Sequence, residues 1–153
     1  MLYRERVAPS LWMYLIGALA IPAVIAVFIP INIYVGIILG VAIFAGYCAS
    51  LYGGSPTIQV DERMLRVGSA RVPLNHVGSV TANDQPSAAR RAAGPDLDAR
   101  AWICLRGWVN TNATIEITDE RDPIPYWLVS TRDPKALAAA ISSAKRALAK
   151  QSN

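Results

Sequence analysis

Charge is the first thing this sequence lacks. Residues 7–60 contain no Asp, Glu, Lys or Arg, an uncharged run of 54 residues. A soluble domain carries charged side chains on its surface, so this run argues for a lipid environment. Cysteine is scarce too. The two present, Cys48 and Cys104, are too few for a disulfide-stapled secreted domain. His76 is the only histidine. One histidine and no cysteine cluster leave neither a zinc-ligand set nor a hydrolase triad. A glycine-rich phosphate loop is also missing. A hydrophobic content of 53% excludes a disordered chain.

The charges that are present divide the chain. Residues 1–60 hold Arg4, Glu5 and Arg6, and residues 61–153 hold the other 23, thirteen basic and ten acidic. About 20 apolar residues cross a bilayer as a helix. The uncharged run accommodates two such helices, over 11–29 and 33–52, with Pro30-Ile31-Asn32 between them. Proline disfavours helix in the residue before it, and Asn32 suits the cap of the next helix. So short a connection makes the pair an antiparallel transmembrane hairpin. The first apolar stretch is longer than the roughly 7–15 residues of a signal peptide, so it is expected to stay in the chain.

Topology follows from the basic residues. Arg4 and Arg6 precede the first span, Arg63, Arg66 and Arg71 follow the second, and the turn has none. The positive-inside rule then puts both termini in the cytoplasm, at the inner or plasma membrane. Pro22 is expected to kink the first span. Gly36, Gly40 and Gly46 are expected to be helix-packing positions, because small residues let helices approach closely. Packing within the hairpin is favoured over a dimer face.

Residues 1–10 read as a cytoplasmic N-terminal segment, 11–52 as the hairpin, 53–56 as a Gly-Gly-Ser-Pro hinge, and 57–150 as a cytoplasmic domain. Short apolar runs separated by turn signals make the domain about seven antiparallel strands. They fall at 57–60, 64–67, 70–74, 77–81, 102–105, 114–117 and 126–130. Residues 83–99 show no strand pattern and read as a long loop. Asp133-Pro134 opens a C-terminal helix, along which Leu137, Ile141, Ala144 and Leu148 recur at helical spacing.

Four groups of residues are candidates for function. Trp102, Trp108, Tyr126 and Trp127 form a dense aromatic set, a candidate interaction surface. Tyr126 and Trp127 are adjacent in a strand and so point to opposite faces. Arg71, Arg90, Arg91 and Arg106 are candidate lipid-facing basic residues. Asp96, Asp98 and Arg100 form a polar loop cluster, a candidate for holding a divalent cation, for acid–base chemistry or for a salt-bridged loop, and the stretch offers a hard cation few oxygen ligands. His76 reads as structural. The chain has a pI of about 9.3, but no basic stripe interleaves with the aromatics, so nucleic acid is not an expected partner.

Two resemblances add to this reading. Ile58-x-Val60, Leu65-x-Val67-Gly68, Val72-Pro73-Leu74-x-x-Val77 and the stretch 126–134 are similar to bacterial pleckstrin-homology (PH)-like domains, several of which follow a pair of spans. Lipid-binding PH domains have a basic first loop, whereas Asp61-Glu62 stands there in this chain, which argues against specific phosphoinositide binding. Over nearly its full length the chain resembles a family of small actinobacterial membrane proteins of unknown function, the DUF3093 family. Tyr3-x-Glu5-Arg6, Pro9, Trp12, the stretch 94–102, Leu105-Arg106-Gly107-Trp108-Val109 and the stretch 125–134 carry it.

The expectation is therefore an α+β membrane protein, a two-helix transmembrane hairpin followed by a PH-like domain. Its expected role is non-enzymatic: binding a protein partner, or self-assembling as a homo-oligomer, at the inner leaflet without a cofactor or metal. Sensing of a lipid or small ligand is the alternative, and an enzyme using Asp96, Asp98 and Arg100 the third reading.

Overall fold

A computed structural model describes residues 2–151. It resolves into two compact units, Ala8–Ser55 on one side and Met1–Val7 with Pro56–Asn153 on the other.

The first unit is helical. Helices α1 (Leu11–Ala18), α2 (Ala20–Phe28) and α3 (Ile33–Gly53) replace the two expected spans. The first span is interrupted at Leu19, not kinked at Pro22. Pro22 has no N–H for the Ala18 carbonyl, and its ring crowds that carbonyl, so the turn before it gives way. There the Leu19 N–H bonds Ile16 O at 3.1 Å, one residue short of the helical partner. By length and composition, both Leu11–Phe28 and Ile33–Gly53 are able to cross a membrane. Asn32 caps α3 as expected, its Oδ1 accepting the Tyr34 N–H at 2.9 Å.

Gly36 and Gly40 lie in the seam of the hairpin. A Cβ on Gly36 would stand 3.0 Å from Phe28 Cβ, and one on Gly40 would stand 3.2 Å from Ile21 O. Gly46 is different. Nothing lies within 4 Å of its Cβ position, so it takes no part in that seam. It is exposed on α3.

The second unit contains eight strands among the described residues: β1 (Tyr3–Arg6), β2 (Thr57–Val60), β3 (Met64–Val67), β4 (Ala70–Pro73), β5 (Val77–Asn83), β6 (Trp102–Cys104), β7 (Asn112–Ile117) and β8 (Tyr126–Ser130). They form two four-stranded sheets, ordered β1-β2-β3-β4 and β5-β7-β8-β6. Each of the seven expected runs contains a strand. Three expectations are corrected.

The N-terminal segment is not a free tail: β1 pairs antiparallel with β2, Tyr3 opposite Val60 and Arg6 opposite Thr57. Its partner lies across the whole uncharged run, so no local turn signal announces it. Second, the sheet is not wholly antiparallel. The chain crosses β8 between β6 and β7, which leaves β6 parallel to β8. Third, the 83–99 segment contains helix α4 (Pro86–Ala92), with Pro86 in its first turn. Seven residues are too short for a periodic signal.

The core lies between the sheets and the terminal helix α5 (Pro134–Gln151). Period-two positions Ile58, Val60, Leu65, Val67, Ile115 and Val129 meet the helical row Leu137, Ile141 and Ala144 in one buried cluster. Asp133 Oδ1 caps α5 by accepting the Ala136 N–H at 2.8 Å. Gly68, at φ 58, makes the two-residue β3–β4 turn with Ser69. A positive φ at the first central position is what such a turn requires of a glycine.

Polar bonds lock β1 to the body of the domain. Glu5 Oε2 accepts from Tyr3 Oη at 2.9 Å and from the buried Thr131 Oγ1, while Oε1 accepts the Arg132 N–H at 2.9 Å. Burial, then the bond to Glu5, pushes the Tyr3 hydroxyl up to about 12. Trp108 Nε1 donates to Val7 O at 3.2 Å. Lys145 on α5 donates to Gly78 O at 2.9 Å and to Val77 O, where a register shift in β5 frees carbonyls from the ladder.

Candidate ligand cleft on the outer face of the second sheet

Strand residues alternate between two faces. On the second sheet the core-facing set is apolar. The opposite set includes Thr81 and Asn83 on β5, Asn112 and Thr114 on β7, and Tyr126 and Ser130 on β8, aligned by the register Thr81–Thr114 and Asn83–Asn112. Helix α4 lies over part of this face. Asn112 Nδ2 donates to Ala89 O at 3.0 Å, a bond that fastens helix to sheet.

Beside α4 the face opens into a cleft of about 360 Å³. Asn83 and Thr114 line it from the sheet, Ala88 and Ala92 from the helix, and Arg91 and Asp96 also border it. Asn83 is only 9% exposed and Asn112 3%. Both hydrogens of Asn83 Nδ2 are used, on Asn112 Oδ1 at 2.8 Å and Thr114 Oγ1 at 3.2 Å. These bonds fix the carboxamide's orientation. Arg91 Nε stands 3.5 Å from Asp96 Oδ2, so the charges beside the cleft balance. A site of this size, with neutral donors and acceptors and no net charge, suits a small polar molecule.

The candidate residues fall as follows. Trp127 is 5% exposed and belongs to the core, its ring 4.9 Å from that of Trp102. Tyr126 does point the other way, and its Oη accepts the Asp98 N–H at 2.7 Å. Trp108 is tied to Val7. The four aromatics therefore do not make one exposed surface, because packing and two separate polar contacts disperse them.

The basic set is also divided. Arg71 is exposed on β4, in the first sheet, and Arg90 and Arg91 are exposed on α4. Arg106 follows β6: its N–H bonds Ser130 Oγ at 2.9 Å and its Nη1 bonds Leu105 O at 2.8 Å. Arg90 and Arg106 line a second, smaller cleft of about 240 Å³ across α4.

The Asp96, Asp98, Arg100 cluster resolves into two ion pairs. Asp98 holds Arg100 twice through its side chain, at 3.2 and 2.9 Å, and accepts the Arg100 N–H at 2.8 Å. The guanidinium bonds, then the backbone bond, hold the Asp98 carboxyl down to about 2. Asp96 pairs with Arg91 instead. Among the described residues no three His, Cys, Asp or Glu side chains gather for a metal. Burial pushes the Cys104 thiol up, against the opposing pull of Arg106.

Asn83, Asn112, Thr81 and Thr114 are not among the candidate site residues read from the sequence. The strands run further than the apolar alternation: β5 continues to Asn83 and β7 begins at Asn112. Asparagine is depleted in strands, and that is the signal available at these positions.

No curated protein is significantly similar to this chain. No solved structure matches it either. A family model described as "Protein of unknown function (DUF3093)" matches residues 2–141, nearly the whole sequence, and the chain therefore belongs to the DUF3093 family.

Proposed function

We propose that this protein is a membrane-anchored, non-enzymatic binding module that holds a small polar ligand in the cleft beside α4. The observation that carries the ligand reading is the oriented, nine-tenths-buried Asn83 carboxamide lining that cleft. Burying polar side chains on the outer face of a sheet is costly unless their bonds are made. Here they are made, and the cleft remains open beside them. The ion pairing of Asp96 and Asp98 supports a non-enzymatic role, since both carboxylates are already engaged by arginines.

Anchoring is supported by the 54-residue uncharged run and by the two apolar helical stretches within it. The β1–β2 ladder supports both ends of the hairpin being on one side of the bilayer, because strands before and after it belong to one sheet. The arginines flanking the spans support that side being the cytoplasmic one. Two sheets closed by a C-terminal helix support a PH-like assignment. The parallel β6–β8 pair and the strand contributed from ahead of the hairpin are departures from it.

Native mass spectrometry of the full chain, released gently from its own membranes, tests this reading. A small polar adduct on the wild type, lost in Ala92→Phe, which fills the cleft from α4, is the expected result. A retained protein partner or a homo-oligomer with no small adduct would overturn it in favour of a protein-interaction module.

A further inference from the structure

The first sheet has one face in the core and one in solvent. Its core row runs Tyr3–Val60–Leu65–Val72, and the next row, pointing outward, runs Arg4–Gln59–Arg66–Arg71. Three of those four positions are arginine, and all three arginines are exposed. Arg6, two residues along β1, is exposed on the same face. No outward position of the four strands is acidic. Glu5 points the other way, and Asp61 and Glu62 lie in the β2–β3 turn. Arg66 and Arg71 stand directly opposite each other. Like charges at facing strand positions are destabilising, so this row costs the isolated domain stability.

From this we propose that the outer face of the first sheet docks on the anionic lipid headgroups of the membrane that holds the hairpin. The proposal rests on the anchoring part of the reading above and is independent of the cleft. Charge complementarity argues for it, and so does the leash. Only residues 7–10 separate Arg6 from Leu11, where the apolar helices begin. Four extended residues reach roughly 14 Å, a little under two Debye lengths at physiological salt. The β1 end of the row is therefore tethered close to the headgroups, whereas a soluble polyanion has to be captured from solution. A sheet face that reads only charge accords with the acidic β2–β3 turn, which does not suit specific headgroup recognition.

The test uses the full chain in nanodiscs of phosphatidylcholine alone or mixed with phosphatidylglycerol. A fluorophore is placed on Ser69→Cys, in the β3–β4 turn, in a Cys48→Ser background. Quenching by headgroup-spin-labelled lipid reports docking. Quenching that rises with phosphatidylglycerol and falls with added salt is expected. Arg66→Gln with Arg71→Gln is expected to lower the docked-to-free ratio roughly thirtyfold, from the contribution of each arginine near an anionic leaflet. Circular dichroism of the double variant confirms that the domain stays folded.

Equal quenching in the two lipid mixtures, or quenching indifferent to the two arginines, overturns docking while leaving anchoring intact. A chain that fails to enter the discs overturns anchoring itself. Arginine-dependent binding of a single-stranded oligonucleotide in phosphatidylcholine discs, without a lipid response, would assign the face to nucleic acid and also overturn docking.

Discussion

The two units of this protein are built on opposite rules. In the hairpin, large apolar side chains point outward: Ile31, Leu11 and Ile38 are among the most exposed, and only Gly36, Gly40 and Leu51 are buried in α3. In the β domain, Ile58, Leu65 and Leu128 are fully buried and arginines are outside. The same residue type therefore has a different energetic role in each unit. In water, burial of isoleucine stabilises the fold. For a hairpin anchored in lipid, as proposed above, there is no such drive between helices, and close approach through small residues decides the packing.

That contrast can be broken most severely in the domain core. Ile58→Ala is expected to destabilise the domain by about 2–5 kcal/mol. Ile38→Ala, on the outward face of α3, is expected to change hairpin stability by less than about 0.5 kcal/mol. Denaturant titration of the full chain in detergent, followed by tryptophan fluorescence and helix circular dichroism, separates the two.

Next is the strand that joins the domain from ahead of the hairpin. Glu5→Ala leaves the buried Thr131 hydroxyl and the Arg132 N–H without their acceptor. A loss of about 1–3 kcal/mol is expected, read as faster amide exchange in residues 3–6 and 57–60. Unchanged exchange would mean that β1 contributes nothing to the domain.

Within the hairpin, glycines that look alike in sequence should behave differently. Gly40→Val meets Ile21 backbone atoms and is expected to force the helices apart, at about 1–3 kcal/mol. Gly46→Val meets nothing and is expected to be silent in the monomer. Crosslinking between cysteines introduced on α2 and α3 reads the separation.

The arginine row gives a smaller effect of opposite sign. Arg71→Gln relieves repulsion with Arg66 and is expected to stabilise the domain by about 0.2–1 kcal/mol in neutral detergent. Thermal melts at low and high salt check it, and the gain should shrink as salt screens the pair.

The smallest effect belongs to the exposed Asp98–Arg100 pair. The folded-state pKa of Asp98 is depressed to about 2 from an ordinary 3.8. Its contribution is therefore present above about pH 3.8 and lost as pH falls toward 2. Asp98→Asn is expected to flatten that part of the acid-unfolding curve. Tyr3 acts at the other extreme. Its pKa is raised from 10.0 to about 12, so its contribution is present below pH 10 and lost as pH rises toward 12.

Much of the fold is legible locally. Asn32, Pro30 and the uncharged run mark the hairpin turn without tertiary information. Leu137, Ile141 and Ala144 mark the buried face of α5 by spacing alone. Pro22 announces a break but not its place, because the carbonyl it deprives is four residues earlier. The cleft was not legible. Its Asn83 and Asn112 are harmless loop residues in the sequence and become partners only when β5 and β7 align. The aromatic set misled for the related reason that density along a chain says nothing about direction. Trp127 faces the core while its neighbour Tyr126 faces away.

The sequence by itself determined the division into an uncharged helical unit and a charged β unit. It also determined the strand runs, the capped terminal helix and the family. The division, the strand runs and the helix follow from charge, periodicity and capping chemistry along contiguous stretches of chain, and the family from a match spread over residues 2–141. Only the tertiary structure decided that β1 closes on β2, that β6 runs parallel to β8, that α4 roofs a polar sheet face, and that Arg4, Arg66 and Arg71 share a row. These depend on strand register between segments far apart in the chain. A shift of one residue in that register would turn every arginine of the row toward the core.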